Sequence, residues 1–263
     1  VTQEEFIRNQ LIVDEGDPFN VLLFNKSMNK LKSKGIFGSA ESKILDGSVN
    51  GQKVIDITIT EKATGEISAG AGYGTSGSTI SFGIRENNFN GKGIHLDTNL
   101  SITEESIRGL FAYTHPNFAY SDRSLTTSIQ STVTDKEKDY GYKSSLNSIS
   151  LGTGYEQYKD LYFYPSISIL SENLTTTADA SANYKKQEGS YFDTLFNYSV
   201  TYDKRNSAYQ PTDGFRSSWS QNLPVLSDNP TIMNGYEITS YKEIIDDMVF
   251  TAGFYSRAIN TIG

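Results

Sequence analysis

From residue 64 onward apolar and polar residues alternate with a period of two, the signature of a strand with two unlike faces. Ile80, Phe82 and Ile84 oppose Ser81, Gly83 and Arg85. Ile94, Leu96, Thr98 and Leu100 oppose His95, Asp97, Asn99 and Ser101. Phe192, Phe196, Tyr198, Val200 and Tyr202 oppose Asp193, Asn197, Ser199 and Asp203. About eleven such runs are readable, near 65–75, 79–89, 93–103, 106–116, 123–134, 143–156, 161–172, 191–204, 214–224, 235–245 and 249–259. Many exceed the usual globular strand of about 5–6 residues and suit the about 9–11 that a tilted strand needs to cross a bilayer. A soluble sandwich shares the period but prefers shorter strands. The pattern therefore predicts an all-β, antiparallel transmembrane barrel wall over 64–263. Leu110 and Leu146 fall out of phase and Pro165 sits inside a run. We read these as bulges or edge effects.

The first run, "GEISAGAGYGTSG", places Ile67, Ala69, Ala71 and Tyr73 on one side and Gly70, Gly72 and Gly74 on the other. Glycine weakens a strand because it loses more backbone entropy and offers nothing to pack. One reading is that the glycines make room for a neighbouring side chain. The other is a loosely specified seam, since a bare face contributes little to register. In lipid an unpaired edge costs several kcal/mol per polar group until a strand fills it, which an incoming chain does by β-augmentation.

Residues 1–63 read differently. Phe6, Ile7, Leu11 and Ile12 have helical spacing, with Thr2 as N-cap and Glu5 completing a capping box. Asp17-Pro18 opens a second helix over about 18–34 in the N-cap/N1 arrangement, with Leu22, Leu23, Met28 and Leu31 inward and a stop at Gly35. "IFGSAESKILDG" and "KVIDITITEK" follow as two strands joined by a Gly/Asn turn. This order predicts a small α+β module whose first strand lies upstream, and a chain that is a fragment at both ends.

Connections alternate in length. Longer polar tracts lie near 134–142, 173–190 and 225–234, and shorter turns at "NFNG", "EQYKD" and "EIIDDM", a transmembrane-barrel pattern. "TSGS" and "TEES" are short exceptions. Composition adds three limits. No cysteine is present, so no disulfide, zinc–thiolate cluster or thiol nucleophile is available. A net charge of −8 argues against nucleic acid as a partner. Seventeen Tyr and fourteen Phe against one Trp fit either an ordinary β-rich chain or aromatic belts at two membrane interfaces.

With these elements placed, "EGDPFN…LKSKGIFGSAE…VIDITITEKATGEISAGAGYG", "IRENNFNGKGIHL", "YTHPNF" and "YDKRNSAYQPTDGF" together resemble the last POTRA module and first barrel strands of BamA-type outer-membrane assembly proteins. The resemblance covers nearly the whole chain. The family's barrel has more strands than are readable here, with an Arg-Gly-Phe loop and an aromatic-ending final strand beyond this segment. It implies a non-enzymatic function without cofactor or metal: folding and inserting β-barrel proteins into the bacterial outer membrane, with the N-terminal module in the periplasm. Implied partners are unfolded barrel clients, outer-membrane lipid, accessory assembly lipoproteins and periplasmic chaperones. The alternative is a related POTRA-barrel transporter that secretes or translocates a polypeptide.

Candidate site residues follow from both lines. Gly70, Gly72, Gly74 and Tyr73 form the lateral-seam strand. Lys62, Ala63, Thr64 and Gly65 are a hinge between the two regions or a plain connector. Asn88, Gly91, Gly93, Pro116, Pro211 and Gly214 belong to the family's turn motifs. "NNFNGKG" lacks the spacing of a phosphate loop and reads as a hairpin turn. "PTDG" reads as a β-turn closed by Gly214. Asp203 and Arg205 share a lumen-side parity and are expected to pair. Glu15 lies in an interhelical loop, either a simple turn or a partner-docking point. His95 and His115 have no metal-ligand spacing.

Overall fold

A computed structural model describes residues 1–74, 77–207, 210–245 and 248–262. The turns expected at "TSGS" and "EIIDDM" fall in part on Thr75, Ser76, Asp246 and Asp247, which lie outside the described residues.

The first elements are α1 (Glu4–Arg8), α2 (Val21–Ser33), β1 (Phe37–Asp46) and β2 (Lys53–Glu61). β1 and β2 form an antiparallel hairpin. Phe24, Met28 and Leu31 share one face of α2 and bury against Phe6, Ile36, Phe37 and Ala40. Leu31 is fully buried. Three expectations for this region need correction. The N-cap of α2 is Asn20, whose Oδ1 accepts from the amides of Leu22 (2.9 Å) and Leu23 (3.2 Å), so Asp17-Pro18 stays in the preceding loop. This later start makes Phe24 the first inward residue of the stripe, and Leu22 is 79% exposed. Thr2 does not cap α1, which begins after Gln3 without a side-chain cap. Its hydroxyl is engaged elsewhere, as described below. α2 ends as the pattern predicts, with Gly35 at φ +68.

All eleven alternating runs are strands: β3 (Gly65–Gly74), β4 (Gly77–Phe89), β5 (Ile94–Thr103), β6 (Ser106–His115), β7 (Ser124–Lys136), β8 (Tyr142–Tyr158), β9 (Leu161–Thr176), β10 (Gly189–Asp203), β11 (Asp213–Ser227), β12 (Thr231–Ile245) and β13 (Met248–Thr261). Each pairs antiparallel with the next in one sheet, ordered as in the sequence, with β3 and β13 at its edges. β9 and β12 run further than the alternation marked, into Asn173–Thr176 and Thr231–Asn234. Their ladder bonds continue there although the two faces no longer differ in polarity.

Register aligns the apolar positions. One row crosses the sheet through Ile67, Ile84, Thr98, Phe111, Ile129, Ile149 and Ile169. Ile80, Phe82 and Ile84 are 61%, 43% and 43% exposed, so no second sheet covers them. Nearer the upper strand ends, Ala71, Ile80, Ile102, Ile107 and Val133 are followed in their row by Ser145, Asn173 and Ser190. Nearer the lower ends, the row from Tyr113 and Thr127 continues apolar through Leu151, Ile167, Phe196 and Leu223. The apolar band thus slides down the strands from β3 toward β11. Tilted strands crossing a flat apolar slab require this displacement. Among the described residues no helix is long and apolar enough to cross a membrane.

Leu110 and Leu146 are not at bulges. They pair with Gln130 and Thr132 in unbroken register, and so place apolar side chains on the polar face. Pro165 pairs with Tyr198 on one side, while on the other the β8–β9 ladder has no pair at Thr153 or Gly154. Proline lacks the N–H that a central strand donates. The register shifts fall elsewhere, among them one between Glu86 and Phe89. Two one-turn helices, α3 (Glu137–Tyr140) and α4 (Ala182–Lys186), lie in upper loops that the pattern left irregular. They are too short to show a period. The rings of Tyr142 and Tyr184 stack at 4.3 Å and join these loops. On the outward face Tyr155, Phe163, Tyr198 and Trp219 form a chain of rings with successive centroids 5.9, 6.0 and 5.5 Å apart.

Candidate functional site

Among the described residues β3 pairs with β4 along ten residues. Every residue of β3 is exposed, including Tyr73 at 86%. A Cβ built on Gly72 or Gly74 meets nothing within 4 Å, so neither glycine makes room for a neighbour among the described residues. Gly70 differs, because a Cβ there lies 3.0 Å from Ser81 Oγ. The strand therefore has a bare polar-side face at Gly72 and Gly74 and an opposite face of Ile67, Ala69, Ala71 and Tyr73.

The connector 62–64 leads directly into β3. Thr64 Oγ1 donates to Glu86 Oε1 (2.5 Å), and its carbonyl accepts from the backbone N of Asn87 (3.2 Å) and from Asn87 Nδ2 (3.3 Å). Gly65 begins the ladder opposite Glu86. Lys62 and Ala63 lie between the two strands with no ladder partner.

Beneath β3, the turn from β4 to β5 receives the N-terminus of the chain. Gln3 N donates to Gly91 O (2.8 Å), and Gln3 Nε2 to Asn90 O (3.0 Å). Asn88 is buried. Its Nδ2 donates to Thr2 Oγ1 (2.8 Å), and its Oδ1 accepts from Gly93 N (2.8 Å). Thr2 N and Oγ1 donate to the Glu61 carboxylate at 2.7 and 3.0 Å. A Cβ on Gly91 lies 2.2 Å from Val1 O, and one on Gly93 lies 2.2 Å from the Phe6 ring. Both glycines have positive φ, +71 and +62, so turn geometry and close approach exclude a side chain together. Further along the interface, fully buried Gln10 donates through Nε2 to Phe6 O (3.2 Å) and Asn117 Oδ1 (3.3 Å). Pro116 directly follows the end of β6, beside Asn117.

A second cluster closes the lower ends of β9 to β12. Arg205 Nε and Nη2 donate to the two carboxylate oxygens of Asp203 at 2.8 and 2.6 Å. Lys204 Nζ pairs with Asp160 at 2.5 Å and Lys242 Nζ with Asp213 at 2.7 Å. Gly214 lies inside β11 at φ +95, where a Cβ sits 2.2 Å from Lys204 O. The crossing backbone at residue 204 is thus what requires glycine. Pro211 leads into Thr212 and Asp213, whose amides donate to Asn206 Oδ1 (3.1 and 3.2 Å). The Asp203 and Arg205 side chains are 23% and 17% exposed. Arg205→Ala is expected to cost about 1–3 kcal/mol, between the surface and buried limits for ion pairs, measured as the urea midpoint of the lipid-embedded protein.

Glu15 lies in the exposed interhelical loop and binds Arg8 Nη1 at 2.6 Å. Glu15, then Glu4, raise the pKa of the Arg8 guanidinium. The sequence pattern does not single out Glu61, Glu86 or Gln10, and gives Phe6 only a place on a helix face and Thr2 only a capping role. Glu61, Glu86 and Gln10 carry no periodic signal, and most of the partners that give these residues a role lie far away in the chain. Among the described residues no group of His, Asp and Glu is arranged to hold a metal.

The Omp85 superfamily domain matches residues 88–260. The fold resembles that of BamA from Haemophilus ducreyi lacking POTRA domains 1-3, with a TM-score of 0.76 and 22% identity over 100% of this chain and 54% of that one. It also resembles CdiB from Escherichia coli, with a TM-score of 0.65 and 10% identity over 99% and 52% of the two chains. For CdiB from Acinetobacter baumannii the values are 0.57 and 11%, over 99% and 51%. The chain spans about half the length of these structures.

Proposed function

This chain belongs to the Omp85 superfamily, and on that footing we propose that it folds and inserts β-barrel proteins at the outer membrane, with β3 as the strand that opens. The observation that carries the reading is the bare face of β3, where a Cβ on Gly72 or Gly74 meets no atom of the described residues within 4 Å, set against an apolar face of Ile67, Ala69, Ala71 and Tyr73. A client strand that pairs there satisfies backbone groups that lipid leaves unmet. No nucleotide is needed in this reading, because client folding supplies the free energy. Clients in extended form, the surrounding lipid, assembly lipoproteins and periplasmic chaperones are the partners it entails.

Residues 1–63 are assigned on the same basis to a periplasmic POTRA-type module, and 64–263 to the barrel. Support comes from the helix–helix–strand–strand order and a separate core around Leu31.

The test is reconstitution of the whole protein in liposomes with a urea-unfolded porin added outside. Faster porin folding than in empty liposomes is expected. Equal rates, or passage of a polypeptide into the lumen without insertion, would favour the transporter reading instead. The membrane-facing assignment has its own check. Phe82→Lys is expected to destabilise the lipid-embedded protein by about 2–4 kcal/mol, whereas Ser81→Lys on the opposite face has much less effect. Equal midpoints for the two variants would remove lipid from the outward face.

A further inference from the structure

We propose that the outward face of β7 to β10, above the apolar band, is a contact surface for the sugar headgroups of an outer-leaflet glycolipid. On β9 the outward positions Leu161, Phe163, Pro165, Ile167 and Ile169 are apolar, and Ser171, Asn173 and Thr175 continue the same face upward. At about 2.5 Å of height per residue of a tilted strand, the apolar part spans roughly 20 Å, close to the band of about 25 Å on an outer-membrane barrel. On the same scale the polar part rises about 15 Å above Ile169. A phospholipid headgroup layer is only about 5–8 Å thick. The upper rows thus stand clear of phospholipid headgroups, at the height of sugars carried on lipid. That this layer belongs to the outer leaflet rests on residues 1–63 lying in the periplasm.

The residues themselves favour sugars. Register places Ser131, Asn147, Ser171 and Phe192 in one row, and Val133, Ser145, Asn173 and Ser190 in the next. Asp135, Lys143 and Thr175 form the row above. The charges among these are Asp135 and Lys143, and they pair at 3.2 Å. The adjoining loops, by contrast, carry Glu137, Lys138, Asp139, Lys185, Lys186 and Glu188. A face that meets only water is ordinarily rich in charge, and a phosphate site calls for unpaired Arg or Lys. This face is neutral and suits a hydroxyl-bearing partner. Two amides are held ready on it. Ser131 Oγ donates to Asn147 Oδ1 (2.8 Å), and Ser190 Oγ to Asn173 Oδ1 (3.2 Å). Each bond fixes a carboxamide. Both asparagines are exposed, and neither Nδ2 has an acceptor among the described residues. The two stand on a diagonal of the β8–β9 ladder, about 7–8 Å apart, within reach of one sugar ring and its hydroxyls. Phe192, 51% exposed and paired with Ser171, adds a flat apolar ring of the kind that covers the C–H face of a pyranose.

The test uses the full-length protein with a spin label at Val133→Cys, in the same row as Asn173. It is placed in nanodiscs of phospholipid alone, of phospholipid with lipid A, and of phospholipid with lipopolysaccharide that keeps its core sugars. Nanodiscs carry the glycolipid in both leaflets, so the face meets it whichever way the barrel is oriented, and a failed client-folding assay leaves the result standing. A water-soluble nickel chelate is expected to reach the label in the first two discs and to be excluded in the third. Asn147→Ala combined with Asn173→Ala is expected to raise the glycolipid fraction needed for half exclusion about tenfold, the scale of one to two hydrogen bonds. Ser148→Ala, next to Asn147 on the opposite face, is expected to leave that fraction unchanged. Equal access in the phospholipid and lipopolysaccharide discs overturns the proposal. Exclusion by lipid A without core sugars overturns it as well, because phosphate or acyl chains then cover the face. An unaltered titration in the double asparagine variant does so too, since coverage is then only crowding.

Discussion

Gly72→Val is expected to lower client assembly about tenfold while slightly raising the stability of the barrel. A Cβ at residue 72 meets none of the described residues within 4 Å, so the larger residue enters without a clash against them. Valine favours the extended backbone and glycine does not. The difference in strand propensity is on the order of 1 kcal/mol, with a further gain from the smaller entropy of the unfolded chain. Strengthened pairing lengthens the time that the edge stays shut. The measurement is the rate of porin folding in liposomes, read beside the urea midpoint of the variant itself. A raised midpoint with an undiminished rate would separate β3 from the function. Gly70→Val is the poorer probe, because the Cβ there must displace Ser81 Oγ from 3.0 Å.

Gly93→Val is expected to expel α1 from the β4–β5 turn. Its Cβ falls 2.2 Å from the Phe6 ring, and φ is +62, a conformation that β-branched residues avoid. Overpacking typically costs about 1–3 kcal/mol and the left-handed backbone about 1–2 kcal/mol more. The clash with the Phe6 ring is relieved when α1 leaves and is on the scale of the three hydrogen bonds that Thr2 and Gln3 make to the turn, at about 1 kcal/mol each. The chain lacks cysteine, so spin labels introduced at Lys43 and Lys138 report on the unit and the sheet alone. A broadened distance distribution between them with the sheet still folded is the expected result. An unchanged narrow distribution would mean that Phe6 does not hold the unit in place.

Local alternation carries far in this protein. A strand's two faces follow from residues i and i+2, and eleven strands were readable because each presents one apolar face to its surroundings. The helix stop at Gly35 was equally local. The errors are instructive. Asp17 and Asn20 are both good capping residues, and in the fold it is Asn20 whose side chain meets the Leu22 and Leu23 amides. Leu110 and Leu146 broke the pattern, yet the ladder kept its register, because hydrogen bonding along a whole strand outweighs two misplaced side chains.

The candidate site divides in the same way. The sequence by itself determined the strands, their faces and the bare stretch of β3, since these depend on neighbours two residues apart. It also marked Asn88, Gly91 and Gly93 as a turn, without disclosing what the turn receives. Only the tertiary structure decided that Val1 to Phe6 sit on those glycines, that Thr2 serves Asn88 and Glu61, and that Glu86 bonds both Thr64 and Asn88. The physical reason is distance along the chain. Thr2 and Asn88 are 86 residues apart and Gln10 and Asn117 are 107 apart, so no local periodicity connects them.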